Sequence, residues 1–479
     1  MVTPPISMLT PKADMPKYHG LTQTIIYHTI VFCRSNFCPV FCCGTFVRYL
    51  LRYFCPVFVA RASVAATAAN QNLAVVAATA ANQKLTVVAD TAALLHMVKK
   101  EATKPVEAVQ CKTKKRSSWS PRCPIAHLRV ATDCSGLDVP IAVFEELGIA
   151  TDHVFSSERN PSLREFISER FEPQKIYVDM SIRSNDTPCP EENNLDFYSV
   201  GLPCQPFSKS GKNLGEADTK DGCRGALFYY ALDFIRHRTP KSYLLENVEN
   251  LTGTQHKETW DAWINHLRAL QGGLYNVHWT ILATNDHGIP QRRRRLYIVG
   301  IRKDAEKKRF VFPDAVPCLP LELFLDEHAG ANGWLTQPSR KSTTHTKNVN
   351  RGLKEMLDKG CDPRTPPSMI DHGATRGPVA YRVCPTLTAC RMRGGGFWLL
   401  HKGRQMTYVE MLRLQGLRPT RFKPVAGARQ SQINQMKHAV GNAMSGNVLH
   451  RVIARIAGSL GIDAKDEWSD PMRACIKLL

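Results

Sequence analysis

Short apolar runs alternate with helical patterns from Leu128 onward, and this alternation constrains the fold more than any other feature of the chain. Strands separated by helices are typical of a parallel α/β sheet. Five parallel strands are predicted at LRVAT (128–132), HVFSS (153–157), KIYVD (175–179), FYSVG (197–201) and SYLLE (242–246). An antiparallel pair is predicted at VHWTIL (277–282) and RLYIVG (295–300), and helices at 140–148, 161–170, 225–237 and 257–270.

Polar residues stand where the predicted strands end. Asp133 and Gly136 follow the first strand, Glu158 follows the second, and Asp179 ends the third. Ligands of open α/β sheets bind at the carboxyl ends of the strands, and an acid after the second strand commonly holds ribose hydroxyls. Acids at strand ends also occur in ordinary turns, but together these residues predict a site for an adenosine-containing cofactor.

Cys204 follows the fourth strand within GLPCQPFSKSG (201–211), and Glu246 ends the fifth strand. Neighbouring parallel strands should bring this thiol and this carboxylate to one edge of the sheet. A cysteine next to an acid or a cation suits nucleophilic catalysis, and the alternatives are a buried small hydrophobe or a metal ligand. The sixteen cysteines form no paired CxxC or CxxC…HxxxH spacing, so we expect no metal site and reduced, intracellular thiols.

A run of four arginines lies within GIPQRRRRLYIVG (288–300). Side chains of an extended strand alternate between its two faces. Gln291, Arg293 and Arg295 should therefore share one face, and Arg292 and Arg294 the other. The first face is predicted to serve the site and the second to meet phosphates or solvent, unless the run is simply a basic edge strand.

The charge of the chain is strongly basic, with a formal net charge of +21. Such a balance indicates a polyanionic partner, and nucleic acid is the first candidate. Residues 1–129 alone carry a surplus of twelve positive charges, and no acidic residue occurs between Met15 and Ala89. A twelve-residue duplication, AATAANQNLAVV followed by AATAANQKLTVV, fills 65–88.

We predict that residues 1–127 form a low-complexity N-terminal extension without a catalytic role. Its acid-poor, arginine-containing sequence fits an organelle transit peptide, or a start upstream of the true protein. Arginines interrupt the apolar stretch 25–60, so no membrane span is expected. The run KTKKRSS (112–118) resembles a nuclear localisation signal, which predicts the nucleus as the compartment.

Six segments resemble, in order and spacing, the motifs of the DNA (cytosine-5) methyltransferases. They are GLPCQPFSKSGKNLG (201–215), GCRGALFYY (222–230), ENVENL (246–251), NDHGIPQRRRRLYIVG (285–300), RQMTYVEMLRLQGL (404–417) and HAVGNAMSGNVLHRVIA (438–454). The resemblance covers about 128–458. It implies a Rossmann-like, S-adenosylmethionine-dependent methyltransferase fold of the α/β class with a smaller target-recognition domain.

The resemblance also implies a role for each matching residue. Cys204 would attack carbon 6 of a cytosine flipped out of double-stranded DNA, and Glu246 would bond to ring nitrogen 3. Arg293 and Arg295 would complete the catalytic set. S-adenosylmethionine would be held by Asp133, Gly136, Glu158, Asp179, Pro203 and Asn442, and the substrate DNA would meet Gln205, Ser208 and Gln291.

The implied domains are a catalytic, S-adenosylmethionine-binding domain at 128–300 and a target-recognition domain at 301–430. A C-terminal helix (431–460) returns to the catalytic domain and precedes a tail (461–479). The protein is expected to be a monomeric enzyme that needs no metal.

One loop departs from the family pattern, because CSGLDV (134–139) has Cys134 in place of an aromatic residue and Asp138 in place of a second glycine. This change predicts either weaker cofactor binding or a subfamily with a different loop. Two rivals stay open: a tRNA cytosine-5 methyltransferase, against which Ser208 and a missing Cys-Phe-Thr signature speak, and a catalytically silent DNA-binding relic of a mobile element.

Overall fold

The computed structural model describes residues 127–183, 192–208, 213–218, 224–338, 343–374, 377–393, 396–424 and 427–479. The predicted extension lies outside these residues except for His127, so its duplication, its targeting role and its localisation signal stay predictions. Over the part of the chain that is described, no helix combines the length and apolar character needed to cross a bilayer.

A seven-stranded sheet forms the centre of the described residues. Its strands and one neighbouring short strand are β1 (Leu128–Asp133), β2 (Thr151–Ser157), β3 (Lys175–Tyr177), β4 (Phe197–Gly201), β5 (Ser242–Val248), β6 (Tyr275–Ala283), β7 (Gln291–Arg292) and β8 (Arg294–Arg302). The sheet order is β3-β2-β1-β4-β5-β8-β6, without β7. All neighbours are parallel except β8, which runs antiparallel to both β5 and β6. All seven predicted strands are confirmed, with ends that shift by no more than two residues.

Four helices connect these strands: α1 (Val139–Glu146), α2 (Pro161–Phe171), α3 (Leu227–Arg238) and α4 (Lys257–Ala269). The start of α2 shows why the predicted positions hold. Asn160 accepts hydrogen bonds from the backbone N–H groups of Ser162 and Leu163, and Pro161 fits the first helical turn. The strand order reverses between β1 and β4, which places a ligand crevice there. This arrangement confirms the predicted Rossmann-like α/β fold.

A second, smaller sheet lies between residues 368 and 405. The elements of this region are α5 (Thr343–Asp358), β9 (Ser368–Ile370), β10 (Ala380–Tyr381), β11 (Cys384–Pro385), α6 (Ala389–Arg393), β12 (Trp398–Leu399), β13 (Arg404–Gln405) and α7 (Tyr408–Leu414). The sheet order is β10-β9-β12-β13, while β11 pairs in parallel with β7. Val349, Leu353, Ile370 and Trp398 belong to a hydrophobic cluster of their own beside α5. The predicted domain boundaries at 301 and 430 stay predictions.

The C-terminal region contains two helices where one was predicted for 431–460. These are α8 (Gln430–Asn442) and α9 (Gly446–Ser459). Ala443 leaves the helical conformation with ψ 148°, and its carbonyl accepts hydrogen bonds from Arg293 and Gln415. The backbone is therefore diverted by partners far away in sequence, which the helical pattern alone could not reveal.

The predicted tail is an ordered part of the fold. Asp470 caps a further helix, α10 (Pro471–Leu478), by accepting from the backbone N–H of Arg473. Trp468 and Cys475 are buried in the main hydrophobic cluster, and Trp468 and Pro471 lie against Gly288. The signal for this helix was Asp-Pro followed by an amphipathic stretch, PMRACIKL.

Candidate active site

The register of the sheet brings the polar strand ends to one edge. Asp133 at the end of β1 lies opposite Ser157 of β2 and Val200 of β4. Gly201, which ends β4, lies opposite Glu246 of β5. The segments that follow these strands therefore start side by side, as their positions in the sequence predicted.

Cys204 lies in the turn that follows β4 and is half-buried. Its carbonyl accepts a hydrogen bond from the backbone N–H of Phe207 at 3.1 Å, which closes the turn. Burial raises the pKa of the Cys204 thiol, the Arg295 charge opposes that rise, and the Glu246 charge adds to it. The free protein therefore holds this sulfur mainly as a thiol, with a cation at hand to stabilise the thiolate.

Glu246 and Arg295 form an ion pair beside the thiol. Val248 lies opposite Arg295 and Tyr297 lies opposite Glu246, so the alternation of side chains places Glu246 and Arg295 on one face. Arg295 Nε lies 3.2 Å from Glu246 Oε1, yet that oxygen accepts no aligned hydrogen bond within the described residues. Burial raises the pKa of Glu246, with Arg295 and Arg293 opposing the rise. A buried carboxyl oxygen without a donor is suited to meet a ligand.

Gln291 and Arg293 lie on the predicted inner face, and both bind other parts of the protein. Gln291 is fully buried; its amide nitrogen donates to Leu414 O at 2.7 Å and its oxygen accepts from Leu387 N at 3.1 Å. Both ends of this amide therefore bind the protein's own backbone, and its contact with DNA stays a prediction.

Arg293 is likewise 1% exposed, and its guanidinium donates to the carbonyls of Leu387, Gly441 and Ala443 at 2.7–3.0 Å. Burial and the neighbouring Arg295 lower the pKa of Arg293 to about 10. Arg293 thus joins its own segment of the backbone to two others, and its catalytic role stays a prediction. The exposed Arg292 and Arg294 follow the predicted alternation.

Glu158 and Gly136 meet at the edge formed by β1 and β2. Glu158 accepts hydrogen bonds from the backbone N–H groups of Gly136 and Asn160, each at 2.8 Å, and its pKa is raised by burial. Each carboxylate oxygen keeps capacity for a further donor such as a ribose hydroxyl. Gly136 has a φ of +58°, and a side chain there would meet only Cys134 O, at 4.0 Å. The backbone therefore leaves room for a ligand to approach closely.

Asp179 lies at the neighbouring strand end, paired with Arg159 at 2.9 Å and bonded to the Ser181 N–H. Val178 and Ile182, on either side, are 52% and 76% exposed. Uncovered apolar side chains next to a carboxylate suit a flat heterocycle that carries an amino group. Together with Glu158 and Gly136, these residues fit an adenosine-containing group.

Two other predicted cofactor residues lie near this edge. Pro203 is half-buried directly before Cys204. Asn442 is exposed at the end of α8, and Met444 shortly after it lies 3.4 Å from the position of a Gly201 Cβ. The α8–α9 junction thus returns to the end of β4, where the predicted site begins.

Asp133 also binds other parts of the protein. Its carboxylate is fully buried, with bidentate hydrogen bonds from Arg183 at 2.9 and 2.7 Å and one from the hydroxyl of Tyr198. Both oxygens of this carboxylate are bound inside the protein, and the contact of Asp133 with the cofactor stays a prediction. Sequence reasoning missed Arg183, which lies 50 residues away in a segment without a motif.

The altered loop at 134–139 also has a structural explanation. Asp138 has a left-handed φ of +53°, a conformation that glycine adopts readily. It occupies the N-cap position of α1, but its side chain makes no capping hydrogen bond. Its buried carboxylate accepts hydrogen bonds from Thr132 and Ser156 and lies 3.6 Å from His153. The charge therefore faces the interior between β1 and β2. Cys134 donates a weak hydrogen bond to the Met180 sulfur at 3.6 Å.

Gln205 and Ser208, predicted to meet DNA, follow Cys204 and are half-buried. Gln205 Oε1 is buried without a hydrogen-bond donor among the described residues, so it can accept one from a ligand. The part of the chain that the structure describes contains no group of three or more His, Cys, Asp or Glu side chains placed to hold a metal ion.

Comparisons with known proteins show which proteins this chain is similar to. The type II methyltransferase M.NgoBI of Neisseria gonorrhoeae is 31% identical over 330 residues, which cover 68% of this chain and 92% of that protein. M.HaeII of Haemophilus aegyptius is 30% identical, covering 67% and 89%. The solved structure of the Entamoeba histolytica methyltransferase EhMeth has 16% identity and a TM-score of 0.49, covering 70% of this chain and 99% of that one.

A family model, the C-5 cytosine-specific DNA methylase, matches residues 134–458. This range begins directly after β1, ends within α9, and contains every residue of the edge described above apart from Asp133. The chain therefore belongs to the C-5 cytosine-specific DNA methylase family.

Proposed function

We propose that Cys204 is the nucleophile with which this enzyme methylates carbon 5 of cytosine in DNA. The observation that carries the proposal is the juxtaposition of Cys204, Glu246 and Arg295 at the ends of β4, β5 and β8, next to an edge that fits adenosine. The family transfers a methyl group from S-adenosylmethionine to cytosine carbon 5. In a duplex the target ring is inaccessible, so the base must leave the stack to reach this edge.

The proposed first step is attack of the Cys204 sulfur on ring carbon 6. Because the thiol is protonated in the free protein, its proton must leave as the carbon–sulfur bond forms. Arg295 stabilises the thiolate through its charge. The electron pair of the 5,6 double bond then moves into the ring, which makes carbon 5 nucleophilic.

Glu246 is proposed to act on ring nitrogen 3. Its raised pKa keeps a proton on the carboxyl at higher pH than an ordinary glutamate allows. A protonated carboxyl can donate to nitrogen 3 and so stabilise the negative charge that the attack sends into the ring. Arg295 holds the carboxyl in place from the same face.

S-adenosylmethionine supplies the electrophilic methyl group. Glu158 is proposed to accept from the ribose hydroxyls, Asp179 to accept from the adenine amino group, and Gly136 to let the backbone approach the cofactor. After transfer, carbon 5 loses its proton and the Cys204 thiolate leaves carbon 6. This returns the free enzyme and 5-methylcytosine.

Mechanism-based trapping tests the proposal. In the presence of S-adenosylmethionine, DNA that contains 5-fluorocytosine should form a denaturation-resistant adduct, because after methyl transfer the fluorine at carbon 5 cannot leave as a proton does. The Cys204→Ala variant should form none. Cys318→Ala is the matched control, since Cys318 is also half-buried and free but is not part of the described edge; it should form the adduct at the wild-type level.

Each alternative predicts a different result. An adduct with RNA but not with DNA would favour the tRNA branch of the family. No adduct with either, together with no binding of S-adenosylmethionine, would favour the silent relic. An adduct that persists in Cys204→Ala would refute the assignment of the nucleophile.

The remaining assignments concern partners and place. Double-stranded DNA fits the net charge of +21, and the region of β9–β13 with α5 is proposed to select the target sequence. The monomeric state, the lack of a metal requirement and the nuclear compartment stay predictions. Light scattering, activity after chelation and a fluorescent fusion of the full chain would test them.

A further inference from the structure

Asn250 joins two points of the chain that lie six residues apart in the segment after Cys204. Its side-chain nitrogen donates a hydrogen bond to Phe207 O at 2.8 Å and another to Asn213 Oδ1 at 3.3 Å. Nearby, the backbone N–H of Gly215 donates to Pro206 O at 2.8 Å. Residues 206–207 and 213–215 therefore lie next to each other, and Asn250 binds both segments.

Asn213 is the centre of a wider polar cluster that we call the loop clamp, formed by Asn213, Asn250, Gln255 and His256. Asn213 Oδ1 also accepts from His256 Nε2 at 2.7 Å, and its amide nitrogen donates to Gln255. Gln255 in turn donates to Asn213 O at 3.3 Å. Burial lowers the pKa of His256, and its Nε2–H donates to Asn213 whether the ring is neutral or protonated.

The loop clamp connects the two halves of the candidate active site. On one side, Phe207 donates its N–H to Cys204 O, so Asn250 is linked to the Cys204 turn through a single residue. On the other side, Asn250 follows Glu246 by four residues, in the short 3-10 helix Glu249–Thr252 at the end of β5. The side chain of Asn250 thus bridges the turn of the thiol and the strand of the carboxyl.

The surroundings hold Phe207 in one place. Its ring packs edge-on against His256 and Trp263, with centroids 5.2 and 5.3 Å apart. Trp263 Nε1 also donates to Glu216 at 2.8 Å, and this bond holds the segment that follows Asn213. In such a packed setting, the carbonyl of Phe207 would lose a specific donor if Asn250 were truncated, while its ring would stay in place.

We propose that Asn250 is a positioning residue that sets the distance between the Cys204 sulfur and the Glu246 carboxyl. The proposal rests on the assignment of Cys204 as nucleophile. Attack on carbon 6 and donation to nitrogen 3 must occur on one bound ring, so a small displacement between the two groups slows the reaction. Misplacement of about 1 Å costs up to about a hundred-fold in rate.

Two variants test the bridge. Asn250→Ala deletes the donor to both Phe207 O and Asn213 Oδ1. Asn213→Gly deletes one of these two acceptors and leaves the bond to Phe207 O, and glycine accepts the φ of +56° at this position without strain. Asn276→Ala is the matched control. Asn276 lies on β6, an edge strand of the sheet, is half-buried like Asn250, and donates a hydrogen bond to Glu306.

The measurement is the single-turnover rate of methyl transfer at saturating DNA and S-adenosylmethionine, together with the binding constants for both. We expect Asn250→Ala to lower this rate by about ten- to a hundred-fold while both binding constants change less than about three-fold. Asn213→Gly should lower the rate less than Asn250→Ala does, because the bond to Phe207 O remains. The loss in the double variant should fall short of the product of the two single losses, because both changes remove the shared Asn250–Asn213 contact. Asn276→Ala should keep the wild-type rate.

Two outcomes would overturn the proposal. One is a wild-type single-turnover rate in Asn250→Ala. The other is a loss in the double variant that equals the product of the losses in the two single variants. Adducts with 5-fluorocytosine DNA separate the two hypotheses. If the wild-type protein forms no adduct, the nucleophile assignment itself is refuted. If the wild-type protein and Asn250→Ala form the adduct equally fast, only the positioning role is refuted.

Discussion

Replacing Arg293 with alanine should lower the free energy of unfolding more than the same replacement at any other arginine of the run 292–295. The guanidinium donates to the carbonyls of Leu387, Gly441 and Ala443 at 2.7–3.0 Å and to that of Asn442 at 3.5 Å. Of these, Ala443 O keeps a second donor, Gln415, at 2.7 Å. The carbonyls of Leu387 and Gly441 lose their donor inside the protein. Each buried group left without a partner costs about 1–3 kcal/mol, so these two set a loss of about 2–6 kcal/mol.

Two further effects refine the value. The third, charge-assisted bond is lost as well, which adds to the cost by about 1.5 kcal/mol. Against this, removal of the buried cation ends its repulsion from Arg295, which helps to lower the pKa of Arg293. We therefore expect Arg293→Ala to lower the free energy of unfolding by about 4 kcal/mol.

Urea denaturation followed by circular dichroism measures this loss, with Arg292→Ala as the control from the same strand. Arg292 is exposed, so its substitution should change stability by less than about 0.5 kcal/mol. A loss below about 1 kcal/mol for Arg293→Ala would refute this reasoning, because it is too small for two buried carbonyls left without a donor. Normal stability with abolished methyl transfer would instead support the direct catalytic role predicted for Arg293.

Three shorter predictions address the other residues of the edge. Glu246→Gln should lower kcat/KM by about a hundred-fold, and it should remove the decline in activity that wild type shows as pH rises through the raised pKa of Glu246 and the donor proton is lost; an unchanged decline in the pH profile would contradict this. Asp133→Asn should cost about 3–5 kcal/mol of stability, because Arg183 keeps its buried charge without the matching anion, whereas calorimetry below the unfolding range should find nearly unchanged affinity for S-adenosylmethionine. Gly136→Ala should weaken that affinity, because its methyl group would stand in the space that Gly136 leaves open for the cofactor; equal affinity by calorimetry would count against the close approach of the cofactor at Gly136.

The sheet could be predicted from the sequence because it depends on local patterns. Short apolar runs, helical spacing and turn residues all lie within a few positions of one another. The predicted strands also fix where each strand ends. These ends predicted that Glu158, Cys204 and Glu246 lie at one edge of the sheet. The alternation of buried and exposed side chains from Gln291 to Arg295 was predictable for the same reason.

The polar residues that bind other parts of the protein could not be separated from those that face a ligand. Gln291, Arg293 and Asp133 stand in or near motifs, yet their partners lie 50 to 150 residues away. A motif shows that a polar side chain matters at a position. It does not show which carbonyl or cation the fold will bring next to that side chain.

The packing of α9 on α1 has a consequence for the order in which the protein can fold. Residues 446–459 cover a helix that begins at Val139, so some three hundred residues must be synthesised after α1 before its apolar face is covered. A nascent chain that has completed the central sheet still exposes this face on the ribosome, and such surfaces promote aggregation. A rearranged gene that encodes 446–459 ahead of β1 would turn this late contact into an early, local one.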